Sequence, residues 1–215
     1  MGKTKTATLV PDESNARITD HHTKRLWKVR SVADGRLFIG YFKHLPACQL
    51  ASEIICAAVG RAIGLNIPEF YLARPLPEMG QQDDLPAVGF LSAQKRFHLF
   101  ATWGDSDIDR MQAATGWGGY HLTGSFDEWV ANIDRRLHNL IYDPTDRDFW
   151  LIDHAHAFGS PTWETDHLTN ANAQWDNLFL EFERQTKGAS EINKWITAAN
   201  NVMIHVNFGA TRSIG

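Results

Sequence analysis

The sequence is most informative at Trp129-Val-Ala-Asn-Ile-Asp-Arg-Arg-Leu-His-Asn139 and at Phe149-Trp-Leu-Ile-Asp153. The first stretch is mostly polar after its opening residues, and it places Asp134 five positions before Asn139. Two short apolar runs, separated by an Asp-Pro-Thr-Asp turn segment, follow Asn139 and predict a β-hairpin. Asp153 stands at the exit of this hairpin. The pattern therefore predicts that one loop and one hairpin bring three oxygen-bearing side chains together.

Asp134, Asn139 and Asp153 are residue types that suit phosphoryl transfer. The reaction concentrates negative charge, which Mg²⁺ neutralises, and hard oxygen atoms are the ligands that Mg²⁺ prefers. Protein kinases use a catalytic Asp, an Asn five residues later that holds a metal, and a second Asp that holds Mg²⁺ against the phosphates. The spacing alone also fits a structural alternative, in which Asp134 and Asn139 cap turns and Asp153 ends a strand.

The upstream region supplies two further charges that such a site needs, a strand Lys on the phosphates and a helix Glu that pairs with it. A predicted strand that ends at Tyr41-Phe-Lys43 runs directly into a helix that contains Glu53. Glu53 is one of few charged residues in this apolar stretch, although a place on the exposed face of an amphipathic helix is the alternative. We expect Lys43 to pair with Glu53. If Lys43 instead lies on the surface, Lys24 or Lys28 is the alternative cation.

The N-terminal part of the chain is predicted to form a small sheet with one helix. Asp34-Gly35 is a hairpin signal between two apolar runs. Apolar residues at helical spacing predict a helix that opens at Pro46 and ends at Gly64. The predicted elements are strands at 26–32 and 37–42, a helix at 46–63, and strands at 67–73 and 87–91.

The C-terminal part is predicted to be mostly helical around the hairpin. Ser125-Phe-Asp-Glu128 matches a capping box and predicts that a helix begins at Ser125. Two further helices are predicted near 173–185 and 189–205. The expected fold class is α+β, with two lobes arranged as in protein kinases. The predicted parts are a polar N-terminal segment at 1–24, an N-lobe of sheet plus helix at 25–93, and a C-lobe with the catalytic loop and metal-binding Asp at 94–215.

Three stretches are informative in combination. They are Glu53-Ile-Ile-Cys-Ala-Ala-Val-Gly-Arg-Ala-Ile-Gly-Leu-Asn-Ile-Pro68, Trp129-Val-Ala-Asn-Ile-Asp-Arg135 and Leu151-Ile-Asp-His-Ala-His-Ala-Phe158. Together they resemble the HipA-like kinases, in the short single-domain branch of that family. The first resembles the family's helix and following strand, the second its catalytic loop, and the third its metal-binding Asp segment.

The resemblance implies a kinase that depends on ATP and Mg²⁺. By resemblance, Asp134 is the catalytic base, and Asn139 and Asp153 are the Mg²⁺ ligands. Lys43, paired with Glu53, is the Lys that binds the phosphates. The phosphate acceptor is then a protein Ser or Thr, or another hydroxyl group of a protein or small molecule. Because several members are toxins of toxin–antitoxin pairs, the resemblance also implies an antitoxin-like partner.

The predicted order of the lobes also gives an expectation for the adenine ring of ATP. Ligands favour clefts between domains, so we expect the ring to lie between the lobes, against the strand at 87–91. The backbone of Ser92 and Ala93, just after that strand, is expected to hydrogen-bond the ring.

The chain departs from the family pattern at four places. Tyr41 stands where the family often has its phosphate-binding Lys, and because residues two apart on a strand face the same side, Lys43 can take that role. Relatives often have Gly at the positions of His138 and Ala155. The segment 19–24, Thr-Asp-His-His-Thr-Lys, stands in place of a Gly-rich phosphate loop. These departures leave open a kinase-shaped module that binds nucleotide without transferring phosphate.

The histidines allow a different class of enzyme. His154 and His156 alternate beside Asp153, and His138 lies near them in sequence. A cluster of His and Asp can hold Zn²⁺ or the two metals of a hydrolase. No His-Glu-x-x-His or Cys-x-x-Cys signature accompanies this cluster, so the metal-dependent hydrolase is the weaker alternative.

Composition limits the partners and the compartment. The net charge of −4, from 21 Lys+Arg and 25 Asp+Glu, gives no reason to expect nucleic-acid binding, which usually needs a basic surface. The N-terminus lacks a hydrophobic signal core, and no run approaches about 18 apolar residues, so a cytoplasmic protein without a membrane span is expected. Cys48 and Cys56, two helical turns apart, are too distant for a disulfide and are expected to be reduced and buried.

Overall fold

The chain combines a large antiparallel sheet, a small second sheet and several helices. The computed structural model describes residues 5–18, 26–79, 84–95, 98–99, 106–143, 145, 148–163, 177–187, 193 and 197. The strands of the larger sheet are β1 Thr8–Val10, β2 Ala16–Arg17, β3 Leu26–Ala33, β4 Arg36–Lys43, β5 Phe70–Ala73 and β6 Gly89–Ala93. Their order in the sheet is β1-β3-β4-β6-β5, and β2 also pairs with β3.

The hairpin predicted from Asp34-Gly35 is confirmed as β3–β4. Both turn residues have positive φ, 50° at Asp34 and 72° at Gly35, as a tight hairpin turn requires. The register pairs Leu26 with Lys43. Lys43 is the last residue of β4. The chain leaves the sheet directly after it and runs into the first helix.

Helix α1, Ala47–Ala62, follows β4 as predicted. Pro46 precedes the helix, and Gly64, at a φ of 91°, follows its end. Cys56 lies on the buried face of α1 within the main core, where burial raises the pKa of its thiol. Cys48 is only half-buried, and both cysteines are free thiols.

The sequence pattern does not predict the first two strands. Residues 5–18, inside the segment expected to be polar and separate, contribute β1 and β2 to the larger sheet. Leu9 of β1 is buried in a second core on this sheet. Residues 19–25, which include the segment in place of the phosphate loop and Lys24, lie outside the described residues.

The described residues after β6 form the second sheet and three α-helices. The sheet joins β7 His98–Leu99, β8 Leu140–Asp143 and β9 Asp148–Leu151 in that order. The helices are α2 Asp107–Thr115, α3 Tyr120–Trp129 and α4 Leu178–Lys187, and a short 3₁₀ helix covers Leu137–Asn139. The pair β8–β9 is the hairpin predicted from the two apolar runs, and it is confirmed.

The helix predicted to begin at Ser125 begins earlier. Helix α3 starts at Tyr120, after Gly119. Ser125 lies inside the helix, where its hydroxyl donates to the carbonyl oxygen of His121 at 3.0 Å. The capping-box prediction was therefore wrong, because burial of Tyr120 in the core extends the helix by more than a turn before Ser125.

The coarse fold class, a mixture of helices with antiparallel sheet, agrees with the prediction, and the division into two lobes stays a prediction. The first predicted tail helix is present as α4, although 173–176 lie outside the described residues. The second, at 189–205, also lies outside them except for the helical residues Asn193 and Thr197. Within the described ranges, no helix has the length and apolar character needed to cross a bilayer.

Candidate functional site

Lys43 is the centre of a charge cluster between β4, α1 and the end of the β8–β9 hairpin. Its Nζ lies 2.6 Å from Glu53 Oε1 and 2.9 Å from Asp153 Oδ1. The structure thus brings together three residues that the sequence analysis singled out. Glu53 is 1% exposed, so it does not lie on the exposed face of an amphipathic helix. Lys28, the alternative cation, is paired in register with Tyr41 on the neighbouring strand.

Glu53 also binds the segment that follows the hairpin. Its Oε2 accepts a hydrogen bond from the backbone N–H of His154 at 3.0 Å. One carboxylate therefore contacts a strand residue through Oε1 and a hairpin-exit residue through Oε2. Asp153, between β9 and His154, has a φ of 62°. This left-handed conformation is tolerated by Asp and Asn better than by most other residues, and such strain is frequent at functional sites.

The charges of this cluster stabilise one another. Burial alone would lower the pKa of Lys43, but the attraction of Asp153 and Glu53 outweighs burial and holds that pKa above its ordinary value. Burial alone would raise the pKa of Glu53, but Lys43 and the contact with His154 hold it below its ordinary value. Lys43 and Glu53 therefore both stay charged through the neutral pH range.

Glu53→Gln is expected to lower the free energy of unfolding by about 2 kcal/mol near neutral pH, because Lys43, whose side chain is only 16% exposed, loses a charged hydrogen-bond partner. The folded-state pKa of Glu53 lies below its ordinary value of 4.5. The stabilisation that the Glu53 carboxylate provides is therefore complete above about pH 4.5. It is lost as the pH falls through the lower pKa that Glu53 has in the folded state. The difference between wild type and variant should shrink in acid, which urea denaturation at several pH values measures.

Glu181→Gln is the matched control for that measurement, because Glu181 is a half-exposed carboxylate on α4 that pairs with Arg184. Its substitution should change the free energy of unfolding little at any pH. A difference between wild type and Glu53→Gln that is the same at acid and neutral pH would contradict the prediction.

Asp134 and Asn139 lie on the loop between α3 and β8. Asn139 is buried, and its Nδ2 donates to the carbonyl oxygen of Asp134 at 2.6 Å. The Asp134 side chain is 29% exposed, with Oδ1 2.9 Å from Arg136 Nε and Oδ2 3.9 Å from His156 Nδ1. The loop therefore turns Asn139 inward and keeps the Asp134 carboxylate accessible from solvent.

The side chains of Asn139 and Asp153 fit Mg²⁺ in chemical type. Asn139 uses its amide nitrogen to hold Asp134, so its amide oxygen is the atom left for a metal. Asp153 offers a carboxylate that is 34% exposed. Proteins usually bind Mg²⁺ through one or two side-chain oxygens together with substrate phosphates. These two residues match that pattern.

The histidines do not converge on Asp153 as the hydrolase alternative requires. His154 is buried, and its ring makes a T-shaped contact with the ring of Phe126, 6.0 Å between centroids. His156 faces Asp134. Among the described residues, no group of three His, Cys, Asp or Glu side chains is arranged to hold a metal ion. The geometry therefore gives the hydrolase no support.

Ser92 and Ala93, expected near the adenine ring, are the last residues of β6. The N–H of Ala93 donates to the carbonyl oxygen of Glu69 at 2.8 Å, and the N–H of Gln94 donates to that of Ile39 at 2.9 Å. These two donors are already paired with backbone carbonyl oxygens. Adenine contacts in this region stay a prediction, and they would have to use other groups of this backbone, such as its carbonyl oxygens.

Sequence reasoning missed a buried ion pair beneath the loop. Arg135 Nε lies 2.8 Å from Asp127 Oδ2, and neither side chain has exposed surface. Asp127 falls inside the stretch interpreted as a capping box, and Arg135 follows the more conspicuous Asp134. The sequence carries no local signal for this burial, because a charged residue by itself suggests a solvated surface.

Comparisons with known proteins match the chain to one described family. A family model described as HipA-like kinase matches residues 29–206. Among solved structures, the chain is similar to the crystal structure of CtkA, a proinflammatory kinase of Helicobacter pylori. The two are 13% identical with a TM-score of 0.42, and the match covers 84% of this chain and 83% of that chain. No match was found among curated proteins.

Proposed function

The chain belongs to the HipA-like kinase family, and from this membership we propose that it transfers the γ-phosphate of ATP, with Mg²⁺, to a hydroxyl group. One observation carries the proposal. Lys43 Nζ lies within 3 Å of carboxylates from two separate elements, Glu53 on α1 and Asp153 after β9. Kinases need a Lys paired with a helix Glu, together with a metal-binding Asp, in the same site.

The residues of the site have separate roles in this proposal. Mg²⁺, when bound, neutralises the phosphates. Asn139 and Asp153 hold the ion through side-chain oxygens. Lys43 contacts the phosphates of ATP, and Glu53 keeps its ammonium group in place. Asp134 orients the acceptor hydroxyl and accepts its proton.

A protein Ser or Thr is the acceptor that we propose, and a small-molecule hydroxyl is the alternative. The Asp134 side chain is 29% exposed, so an acceptor can approach it from solvent. The family resemblance supports a protein acceptor, a toxin-like role and an antitoxin-like partner in the cytoplasm. Labelled ATP with Mg²⁺, incubated with the protein alone and then with a cell extract, tests the proposal. We expect label on protein Ser or Thr, and no ATP turnover under any of these conditions would contradict it.

Nucleotide binding without transfer is a second candidate function, and one observation favours it. Arg136 Nε lies 2.9 Å from Asp134 Oδ1, so a cation already engages the carboxylate that would act as base. The pair is largely exposed on the Arg136 side and is therefore weak. Tight binding of Mg·ATP with no label on any acceptor would favour this second function.

Asp153→Asn is expected to weaken Mg²⁺-dependent ATP binding by about tenfold or more, because loss of a ligating carboxylate leaves the phosphate charge poorly neutralised. Asn tolerates the positive φ of this position, whereas Asp153→Ala would add backbone strain to the same loss. Calorimetry with ATP, in the presence and absence of Mg²⁺, measures the effect. Unchanged Mg·ATP affinity in Asp153→Asn would contradict a role for the Asp153 carboxylate charge in holding the metal.

A further inference from the structure

We propose that Arg135 is a positioning residue that fixes the two Mg²⁺ ligands, Asn139 and Asp153, relative to each other, and that Asp127 holds Arg135 for this purpose. The inference rests on the proposed function, since it assigns the support of the same site. The Arg135 side chain is fully buried. Among the described residues, it makes no hydrogen bond to the Asp134 carboxylate.

The guanidinium of Arg135 joins the backbones on which both ligands stand. Its Nη1 donates to the carbonyl oxygen of Asn139 at 3.1 Å and to that of Ile152 at 2.8 Å. Ile152 directly precedes Asp153, and its own N–H donates to the carbonyl oxygen of Asn139 at 3.0 Å. The loop end and the hairpin exit therefore meet at one side chain.

The other edge of the guanidinium is fixed to helix α3. Arg135 Nε donates to Asp127 Oδ2 at 2.8 Å, and Nη2 donates to Oδ1 at 3.1 Å. Asp127 Oδ1 also accepts from Asn132 Nδ2 at 2.9 Å, and Asn132 Oδ1 accepts from the N–H of Asp134 at 3.3 Å. Asp127 thus connects the proposed base and, through Arg135, both ligand segments to one helix.

Stability alone is a poor explanation for this arrangement. Desolvation can cost a buried ion pair more than its attraction returns, so apolar residues of similar size often serve stability as well. Arg135 uses its planar fork of donors, which neither an apolar residue nor Lys can reproduce. Apart from its bonds to Asp127, the guanidinium donates to the backbone carbonyl oxygens of Asn139 and Ile152 at the site. Mutation of a residue that supports metal ligands in this way typically lowers metal affinity or activity by about 10–100-fold.

Arg135→Lys is the test variant, because it keeps a positive charge beside Asp127 but loses the fork. We expect the Mg²⁺ concentration for half-maximal ATP binding to rise by about tenfold or more, while nucleotide affinity without Mg²⁺ changes little. Phe179→Leu is the control. Phe179 is a fully buried core residue of α4 and makes none of the Arg135 side-chain hydrogen bonds, so its substitution lowers thermal stability and leaves those bonds in place, and its Mg²⁺ midpoint should stay at the wild-type value.

A wild-type Mg²⁺ midpoint in a folded Arg135→Lys protein overturns the inference. If that variant does not fold, Asp127→Asn decides, because it keeps the shape of the acceptor and weakens its hold on Arg135. A raised midpoint there supports the inference, and an unchanged midpoint overturns it.

Failure of the proposed function gives a different result, namely a wild type with no Mg²⁺-dependent nucleotide binding. Amide hydrogen exchange at Ile152, measured without metal, then decides the positioning role alone. Faster exchange at this amide in Arg135→Lys than in Phe179→Leu supports the role, and equal exchange overturns it.

Discussion

Asp134→Asn is expected to reduce phosphoryl transfer by about 10²–10⁴-fold while Mg·ATP still binds. A carboxylate can orient the acceptor hydroxyl and take its proton, whereas a neutral amide of nearly the same shape cannot accept that proton. Transfer from labelled ATP gives the rate, and calorimetry gives the affinity of the same preparation for Mg·ATP.

The loop should keep its shape in this variant, because the contacts that hold Asp134 are made by its backbone. Its N–H donates to Asn132 Oδ1 at 3.3 Å, and its carbonyl oxygen accepts from Asn139 Nδ2 at 2.6 Å. The side chain loses its ion pair with Arg136, whose side chain is 67% exposed, and its 3.9 Å contact with His156. Pairs of this kind contribute at most about 1 kcal/mol to the free energy of unfolding.

Asp148→Asn is the matched control, since it makes the same chemical change on the β8–β9 hairpin at a side chain that contacts Asn66. Its rate of transfer should equal that of the wild type. Wild-type transfer by Asp134→Asn would exclude Asp134 as the base. A wild type that binds Mg·ATP but transfers nothing would instead favour the nucleotide-binding module.

The parts of the site that the sequence predicted are those with local signals. The hairpin before Asp153 follows from two apolar runs and a turn between them. The contact between Lys43 and Glu53 follows from a strand that runs into a helix, with the two residues only ten positions apart in sequence. Short separation and regular periodicity carry enough information to place these side chains.

Other features depend on burial, which short patterns do not encode. Arg135 and Asp127 are charged, and charged residues are nearly always exposed unless paired, so each alone suggests a solvated surface. Strand β1 is too short for a periodic signal, and its pairing with β3 connects Val10 with Arg30 across the segment 19–25. The start of α3 at Tyr120 shows tertiary packing overriding a local capping signal at Ser125.

The charge cluster predicts unequal effects for its two central residues. Lys43→Ala removes the cation from the proposed phosphate site and leaves the buried Glu53 carboxylate, among the described residues, with the backbone N–H and the ring of His154. Loss of one member of a buried pair costs about 3–5 kcal/mol of stability, so affinities must be measured well below the melting temperature. Glu53→Ala leaves Lys43 with a second carboxylate, Asp153, 2.9 Å away. ATP affinity should therefore fall more in Lys43→Ala than in Glu53→Ala.

The double variant Lys43→Ala/Glu53→Ala is expected to bind ATP about as weakly as Lys43→Ala alone. In the proposed function Glu53 acts on the nucleotide through Lys43, so the loss of Glu53 adds little once the cation is absent, and the coupling energy should be about 0.5–3 kcal/mol. Calorimetry with Mg·ATP on the four proteins of the cycle measures this coupling energy.

Lys187 and Glu183, 3.0 Å apart on α4, form a control cycle of the same residue types, whose coupling in ATP affinity should be zero. A coupling near zero for Lys43 and Glu53 as well would rule out their joint action. If charge reversal at Lys28 then abolished binding, the phosphate-binding cation would lie on β3 instead.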